Sequence, residues 1–365
     1  MRSFMRSKLF SILLKFLKTN QITIENKEKY LKMKKLLLFL NIVSSALSLS
    51  AQQDPQFSHN RFINPALNPG AVGIKPNHHC FDLLARQQWM GFEGKPTTAL
   101  LSYNGSFPTN NLGFGGVFVY DQIGLEQNIF LKGSAAYHFN VAGGKLGVGI
   151  DLGFITKQIS GNINAADMAD PSIAALAGAR SMNFDLGFGL FYHKERKMYF
   201  GVSGLKLIPQ KIDWVSVTPL LRAHSYISGG YYQEINPDWY LIPSFLVKTD
   251  LTSAQIDVNL TAEYKQFLWG CLSYRYTDAI VANIGIKHKG VSYGIAYDFT
   301  TSNLRNPGNF ERFDKFSPEG QRMYSVKSNN RSYGAVELYV GYCFIKPNKP
   351  NFPWYVDPLL PFDLR

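Results

Sequence analysis

The chain has 365 residues, of which 45% are hydrophobic and 14% aromatic, and its formal net charge is +12. Residues 1–51 hold 10 Lys/Arg and 2 Asp/Glu, so the remainder carries 28 basic and 24 acidic residues, a net charge of +4. The basic character therefore comes largely from the N-terminal region and gives no support to nucleic-acid binding.

The N-terminal region has the pattern of a targeting segment. Met33, Lys34 and Lys35 precede a short apolar stretch over 36–50, and the small residue Ala51 follows. This pattern predicts a cleaved secretory signal peptide over 33–51, with the cut after Ala51. Residues 1–32 are either a basic helix that lies on a membrane surface or an upstream extension with the true start at Met33, and we favour the extension.

The mature chain opens with an irregular segment. Residues 52–77 contain four prolines and several asparagines. This composition disfavours a helix or a strand. We expect an N-terminal arm that faces the periplasm.

From residue 78 to residue 344 the sequence alternates apolar and polar residues. In the segment 255–265, for example, Ile256, Val258 and Leu260 alternate with Asp257 and Asn259. A period of two indicates strands with two unlike faces, and about ten residues suffice for a strand to cross a membrane. We therefore predict an all-β fold, a transmembrane antiparallel β-barrel of the outer-membrane type. The fourteen predicted strands are 79–89, 97–106, 111–121, 125–139, 145–157, 182–193, 197–206, 223–234, 239–249, 254–265, 267–277, 279–288, 290–301 and 332–344.

The lengths of the connections support this count. In outer-membrane barrels short turns face the periplasm and longer loops face the outside. Alternate links are short and rich in turn formers or charge: 107–110, 140–144, 194–196, 235–238, 266 and 289. Three of the intervening links are the longest in the predicted barrel: 158–181, 207–222 and 302–331.

After the last strand the chain becomes rich in proline. Residues 345–365 favour an extended conformation. This tail is either a docking strap in the periplasm or a frayed end.

Motifs of the arm and the first strand resemble one known family. They are the segments QDPQFS (53–58), NP (64–65), NPGAVG (68–73) and RQQW (86–89). The chain resembles the PorP/SprF family of type IX secretion and gliding-motility outer-membrane proteins, and further similarities extend through Asp298 in the same order. The resemblance implies an integral outer-membrane protein without enzymatic activity or cofactor. It also implies partners, which are periplasmic ring components of the secretion system, the C-terminal domain of a large secreted adhesin, or both.

The same motifs supply the candidate site residues. Arg86 and Gln88 share a strand face with Asp82, so we expect them in the lumen, where they either hold the arm or a partner or belong to an internal ion-pair network. The acids expected to complete that network are Asp151, Asp185, Asp257 or Glu263. Trp89 is expected in the outer aromatic girdle. The full candidate set for partner binding or the lumen network is Asp54, Pro55, Phe57, Asn64, Pro65, Asn68, Pro69, Arg86, Gln88 and Trp89.

Other motifs have simpler explanations. The glycines of 144–149 lie between strands, so a hairpin is favoured over a phosphate loop. The segments 78–79 and 287–289 lack the second ligand pair of a metal site, and the three cysteines are expected to pack as small side chains without a disulfide framework. No motif brings a nucleophile, a base and an acid together, so we expect no catalytic, metal or cofactor site.

These observations predict a barrel whose outer loops contact an exported protein and whose arm and tail meet periplasmic machinery. The alternative is an outer-membrane pore for small solutes. A lumen filled by side chains or by the arm favours the docking role, whereas an empty lumen favours the pore.

Overall fold

Fourteen antiparallel strands form the wall of the protein. The computed structural model describes residues 54–92, 94–107, 111–160, 178–208, 210–211, 220–250, 253–302, 310–313, 323–326 and 332–345. The strands are β1 His78–Gln87, β2 Thr97–Ser106, β3 Leu112–Ile123, β4 Glu126–Val141, β5 Gly144–Ile159, β6 Arg180–Lys194, β7 Met198–Leu205, β8 His224–Tyr231 continued by Gln233–Asn236, β9 Trp239–Thr249, β10 Ala254–Tyr264, β11 Leu268–Arg275, β12 Ala279–His288, β13 Val291–Thr300 and β14 Ala335–Ile345.

The sheet closes on itself. Each strand pairs with the next along the chain, and β14 pairs with β1. This last pairing, which we call the seam, runs in register from His78 opposite Ile345 to Gln87 opposite Val336. The predicted closed barrel of fourteen strands is therefore confirmed.

The two faces of the wall differ as the alternation predicts. On β10, Val258 and Leu260 are 55% and 49% exposed, whereas Asp257, Asn259 and Thr261 are buried. The apolar side chains thus face the surroundings and the polar ones face the lumen, which is the arrangement of a barrel in lipid.

The connections also follow the predicted alternation. At one end of the barrel, Ala142 and Gly143 have φ values of 49° and 72°, and Lys289 and Gly290 have values of 48° and 82°. Positive φ at both central residues is the signature of tight two-residue hairpins. At the other end the strands leave long links, and the largest of these spans 301–334. Two short ribbons lie in the long links: Gln210–Lys211 with Leu220–Leu221, and Phe310–Phe313 with Met323–Val326. Among the described residues, no helix is both long and apolar enough to cross a membrane.

The described part of the arm, residues 54–77, lies inside the barrel, and we call it the plug. It contains a short helix, α1 (Asn64–Leu67), and a 3-10 turn at Pro69–Ala71. Its Phe57, Ile63 and Ala66 form an apolar core with inward side chains of the wall, among them Leu84 and Leu100. The described residues of the expected arm therefore fill the lumen instead of extending into the periplasm. The predictions for 1–32, 33–51 and the tail beyond Ile345 fall outside the described residues.

Two of the three cysteines form a disulfide. Cys80 on β1 and Cys343 on β14 face each other across the seam and are bonded, while Cys271 is buried and free. The expectation that all three cysteines pack as free side chains was wrong for this pair. The error arose because the two residues are 263 positions apart, so only the register of the closed barrel shows that they are neighbours.

Candidate functional site

The plug is held by buried charges of the wall, and Arg86 is at the centre of one cluster. Its Nη2 lies 2.7 Å from Asp298 Oδ2, and its Nη1 donates to Ser58 Oγ at 2.9 Å and lies 3.3 Å from Glu337 Oε2. The side chains of Arg86, Asp298 and Glu337 are at most 3% exposed. Since buried charges are costly unless they are paired, this cluster requires all of its members.

Glu337 binds the backbone of the plug directly. Its two carboxylate oxygens accept hydrogen bonds from the backbone N–H groups of Ser58 and His59, at 2.8 and 2.7 Å. The ring Nδ1 of His59 also lies 2.7 Å from Oε1. A carboxylate with several donors is a strong, directional anchor for a chain segment.

Asp298 joins this cluster to a second arginine. Arg275 Nη1 lies 2.7 Å from Asp298 Oδ2, and Arg275 Nε lies 3.3 Å from Asp257. Arg275 is 2% exposed. The wall therefore carries a continuous polar network from β1 through β13 and β11 to β10 on the side that faces Ser58.

The beginning of the plug is anchored on the opposite side of the lumen. Asp54 forms an ion pair with Lys206, and its Oδ2 accepts a hydrogen bond from Tyr226 Oη at 2.8 Å. Lys248 donates to the carbonyl oxygen of Asp54. Burial alone would raise the pKa of Asp54, but the charges of Lys206, His224 and Lys248 lower it well below its ordinary value.

The middle of the plug makes contacts through its backbone carbonyls. Lys132, paired with Asp151 at 2.7 Å, donates to the carbonyl of Ala66, and Ser203 donates to the carbonyl of Leu67. The ring Nε2 of His138 lies 2.9 Å from the carbonyl oxygen of Val72. These bonds satisfy carbonyls that the lumen would otherwise leave unpaired.

Glycines of the wall make room for the segment 68–73. A Cβ atom at Gly113 would overlap the Val72 carbonyl, and a Cβ at Gly147 would overlap the Gly70 carbonyl. Substituents at Gly149 and Gly189 would collide with Pro69 and Asn68. The glycines of the predicted hairpin at 144–149 are therefore partly wall residues, since Gly147 and Gly149 lie within β5 and allow the backbone of the plug to approach.

The structure brings most of the predicted site residues to the plug and its contacts. Asn68 accepts from the N–H of Gly70 and donates to the carbonyl of Leu190, and Asn64 donates to the carbonyl of Arg61. Gln88 donates to Gln56 at 3.4 Å. The remaining plug candidates are partly or fully buried in the lumen: Pro55, Phe57, Pro65 and Pro69.

Trp89 stands apart from this network. It follows β1 with a φ of 51°, is half-buried, and its ring lies 6.5 Å from that of Phe92. Among the described residues, no ring contact joins Trp89 to the plug.

The two roles considered for Arg86 are combined, because it holds the plug and belongs to an ion-pair network. Its acid partners, however, are Asp298 and Glu337, which the sequence analysis did not select. The acids expected there are used elsewhere: Asp151 pairs with Lys132, Asp257 with Arg275 and Glu263 with Arg61, while Asp185 accepts from the backbone N–H of Lys206. The sequence contained one indication that Glu337 is such a partner. It is a lone acid on the inward face of an otherwise apolar last strand.

Comparison with known proteins identifies the family. The sequence model described as type IX secretion system membrane protein PorP/SprF matches residues 49–313, which cover the plug and most of the barrel. The chain belongs to the PorP/SprF family. Family and barrel fold together point to the outer membrane and to association with the type IX secretion machinery. No curated protein matches the chain.

Solved structures similar to this PorP/SprF protein are outer-membrane transport proteins and porins. The toluene transporter TbuX of Ralstonia pickettii is 10% identical with a TM-score of 0.43, over 76% of this chain and 92% of that chain. The toluene transporter TodX of Pseudomonas putida is 9% identical with a TM-score of 0.42, over 77% and 92%. The outer membrane protein Omp33 of Acinetobacter baumannii is 5% identical with a TM-score of 0.38, over 74% and 100%. Those names describe those proteins, and at these identities and TM-scores they carry nothing over to this chain.

Proposed function

We propose that this PorP/SprF protein is a non-enzymatic docking barrel of the type IX secretion and gliding machinery. Its partners are components of the periplasmic ring or the C-terminal domain of a large secreted adhesin, which it helps to export and to anchor at the cell surface. The observation that supports this role is the plug, whose contacts with β1, β4, β7, β8, β10, β13 and β14 reach around the lumen.

A lumen filled by a tightly held plug makes a docking protein more rigid. Rigid elements hold a binding surface in place better than mobile loops do. The plug ties strands on opposite sides of the lumen, through Asp54 with Lys206 and through Ser58 with Glu337, so the wall is braced from within. The long links between β5 and β6, between β7 and β8 and between β13 and β14 are the surface proposed to meet the exported protein.

The alternative role as a pore for small solutes has less support. Phe57, Ile63 and Ala66 of the plug are buried against the wall. A solute would have to displace them, together with the ion pairs of Asp54, before it could pass.

The test is an affinity pull-down of the tagged protein from native outer membranes in mild detergent, followed by mass spectrometry. Recovery of ring subunits would assign the protein to the secretion machine, and recovery of a large surface protein would make it a dedicated anchor. An unrelated tagged barrel from the same cells is the control. A protein that is recovered alone, as in the control, would contradict the docking role.

A further inference from the structure

A cavity of about 500 Å³ lies at the end of the barrel that carries the short turns. We call it the mouth. Its lining includes the turn residues Glu195, Arg196 and Gln266, which places it at the barrel end. Short turns face the periplasm in outer-membrane barrels, so the mouth is accessible from that side.

The inner part of the mouth is aromatic. Phe62 of the plug lies between Trp269 and Tyr339, with ring centroids 4.9 Å from each. The guanidinium of Arg61 lies over Phe62 and Tyr232, at 5.3 and 5.8 Å from their ring centroids. Such a surface packs well against apolar or aromatic side chains, and the volume is that of a small binding pocket.

The rim of the mouth is basic. Lys75, Arg196 and Lys287 line it, and the acids of the lining are Glu195, Asp82 and Glu263, of which Glu263 pairs with Arg61. In the part of the chain that the structure describes, no carboxylate forms an ion pair with any of the three cations. Desolvation, together with the nearby charges of Lys287 and Arg61, lowers the pKa of Lys75. Neighbouring cations that have no direct ion-pair partner favour an anionic ligand.

We infer that the mouth binds an acidic segment of a periplasmic protein that inserts an aromatic side chain. The acidic residues would meet Lys75, Arg196 and Lys287, and the aromatic anchor would pack on the ring cluster around Phe62. The periplasmic origin of the segment rests on the proposed docking function. Lipid headgroups fit less well, because Lys287 lies on the lumen-facing side of β12 and Lys75 belongs to the plug.

The chemistry is tested with a short fluorescent peptide that contains Asp, Glu, Trp and Phe, bound to the purified protein in neutral detergent and followed by fluorescence anisotropy. We expect it to bind at least about tenfold more tightly than a peptide with Lys in place of the acids. It should also bind more tightly than one with Ala in place of the aromatics. The double variant Lys75→Glu/Lys287→Glu should weaken binding by about tenfold or more.

The matched control is Lys197→Glu/Lys289→Glu, which changes the net charge equally at the same barrel end but outside the lining of the mouth. It should change affinity by less than about twofold. Equal losses in the two double variants, or equal binding of the basic peptide, would overturn the inference.

Two further arms distinguish other occupants. Displacement of the peptide by phosphatidylglycerol but not by phosphatidylcholine would assign the mouth to lipid headgroups. Removal of residues 346–365 that raises affinity by more than about tenfold would assign it to the chain's own tail. Either result overturns binding of a partner protein. Because the assay uses a peptide and not cell extract, it can succeed even if the pull-down of secretion components fails.

Discussion

Arg86 and Glu337 lie directly opposite each other across the seam, and both bind Ser58 of the plug. The two residues are 251 positions apart and come together only when the first and last strands pair. The complete binding site for Ser58 therefore exists only in the closed barrel. This arrangement couples closure of the barrel to seating of the plug.

The first prediction concerns Arg86. In Arg86→Leu, Glu337 loses the guanidinium that pairs with it. Asp298 keeps only one of the two arginines bound to it. Breaking a buried ion pair by removing one partner costs about 3 kcal/mol or more. We expect a lower unfolding temperature in detergent, measured by gel mobility with and without heating. We also expect faster tryptic cleavage after Arg61.

The control for Arg86 is Arg180→Leu, which removes an exposed arginine from the start of β6. It should behave like the unmodified protein. If the plug of Arg86→Leu stays as resistant to trypsin as that of the control, the charge cluster does not hold it.

The sequence was sufficient to predict the wall but not the contents of the lumen. Strand positions follow from a local period of two, so residues such as Val258 and Asp257 could be assigned to faces without knowledge of the rest of the chain. The partners of Arg86, in contrast, are 212 and 251 residues away. Which acid reaches it depends on the register of three strands, and that register is a property of the closed barrel.

The second prediction concerns the wall glycines. Gly147→Ala places a methyl group where the Gly70 carbonyl lies, whereas Gly133→Ala on the neighbouring strand meets open space. Overpacking of a close contact costs about 1–3 kcal/mol. We expect Gly147→Ala to loosen the plug and to increase tryptic cleavage after Arg61, while the strand content measured by circular dichroism stays unchanged.

Gly133→Ala is the matched control for this substitution, because it adds the same methyl group to a wall position without plug contact. Equal protease resistance of the two variants would show that the fit of the plug against β5 does not hold it in place.

The third prediction concerns the disulfide. Cys80→Ser/Cys343→Ser should still give a closed barrel, because ten residue pairs hold the seam in register. A crosslink between distant residues stabilises chiefly by restricting the unfolded chain, by roughly 2–5 kcal/mol. We expect a lower unfolding temperature and a loss of the mobility difference between reduced and non-reduced samples on denaturing gels.

Cys271→Ser is the control for the disulfide, since Cys271 is buried and unbonded. It should keep the mobility difference. A non-reduced sample of the original protein that already runs like a reduced one would contradict the seam crosslink.

The fourth prediction separates docking from transport. Deletion of residues 54–77 removes the apolar core of the lumen and the partners of Glu337, Lys206 and Lys248. A barrel of fourteen strands without a plug encloses water, and many of its inward side chains are polar. We therefore expect the deletion variant to give discrete conductance steps in a planar bilayer, whereas the intact protein gives none. The variant Gly133→Ala, which keeps the plug, should also stay closed. Steady conductance of the intact protein at the level of the deletion variant would mean that the plug does not seal the lumen, and that result would favour the pore over the docking barrel.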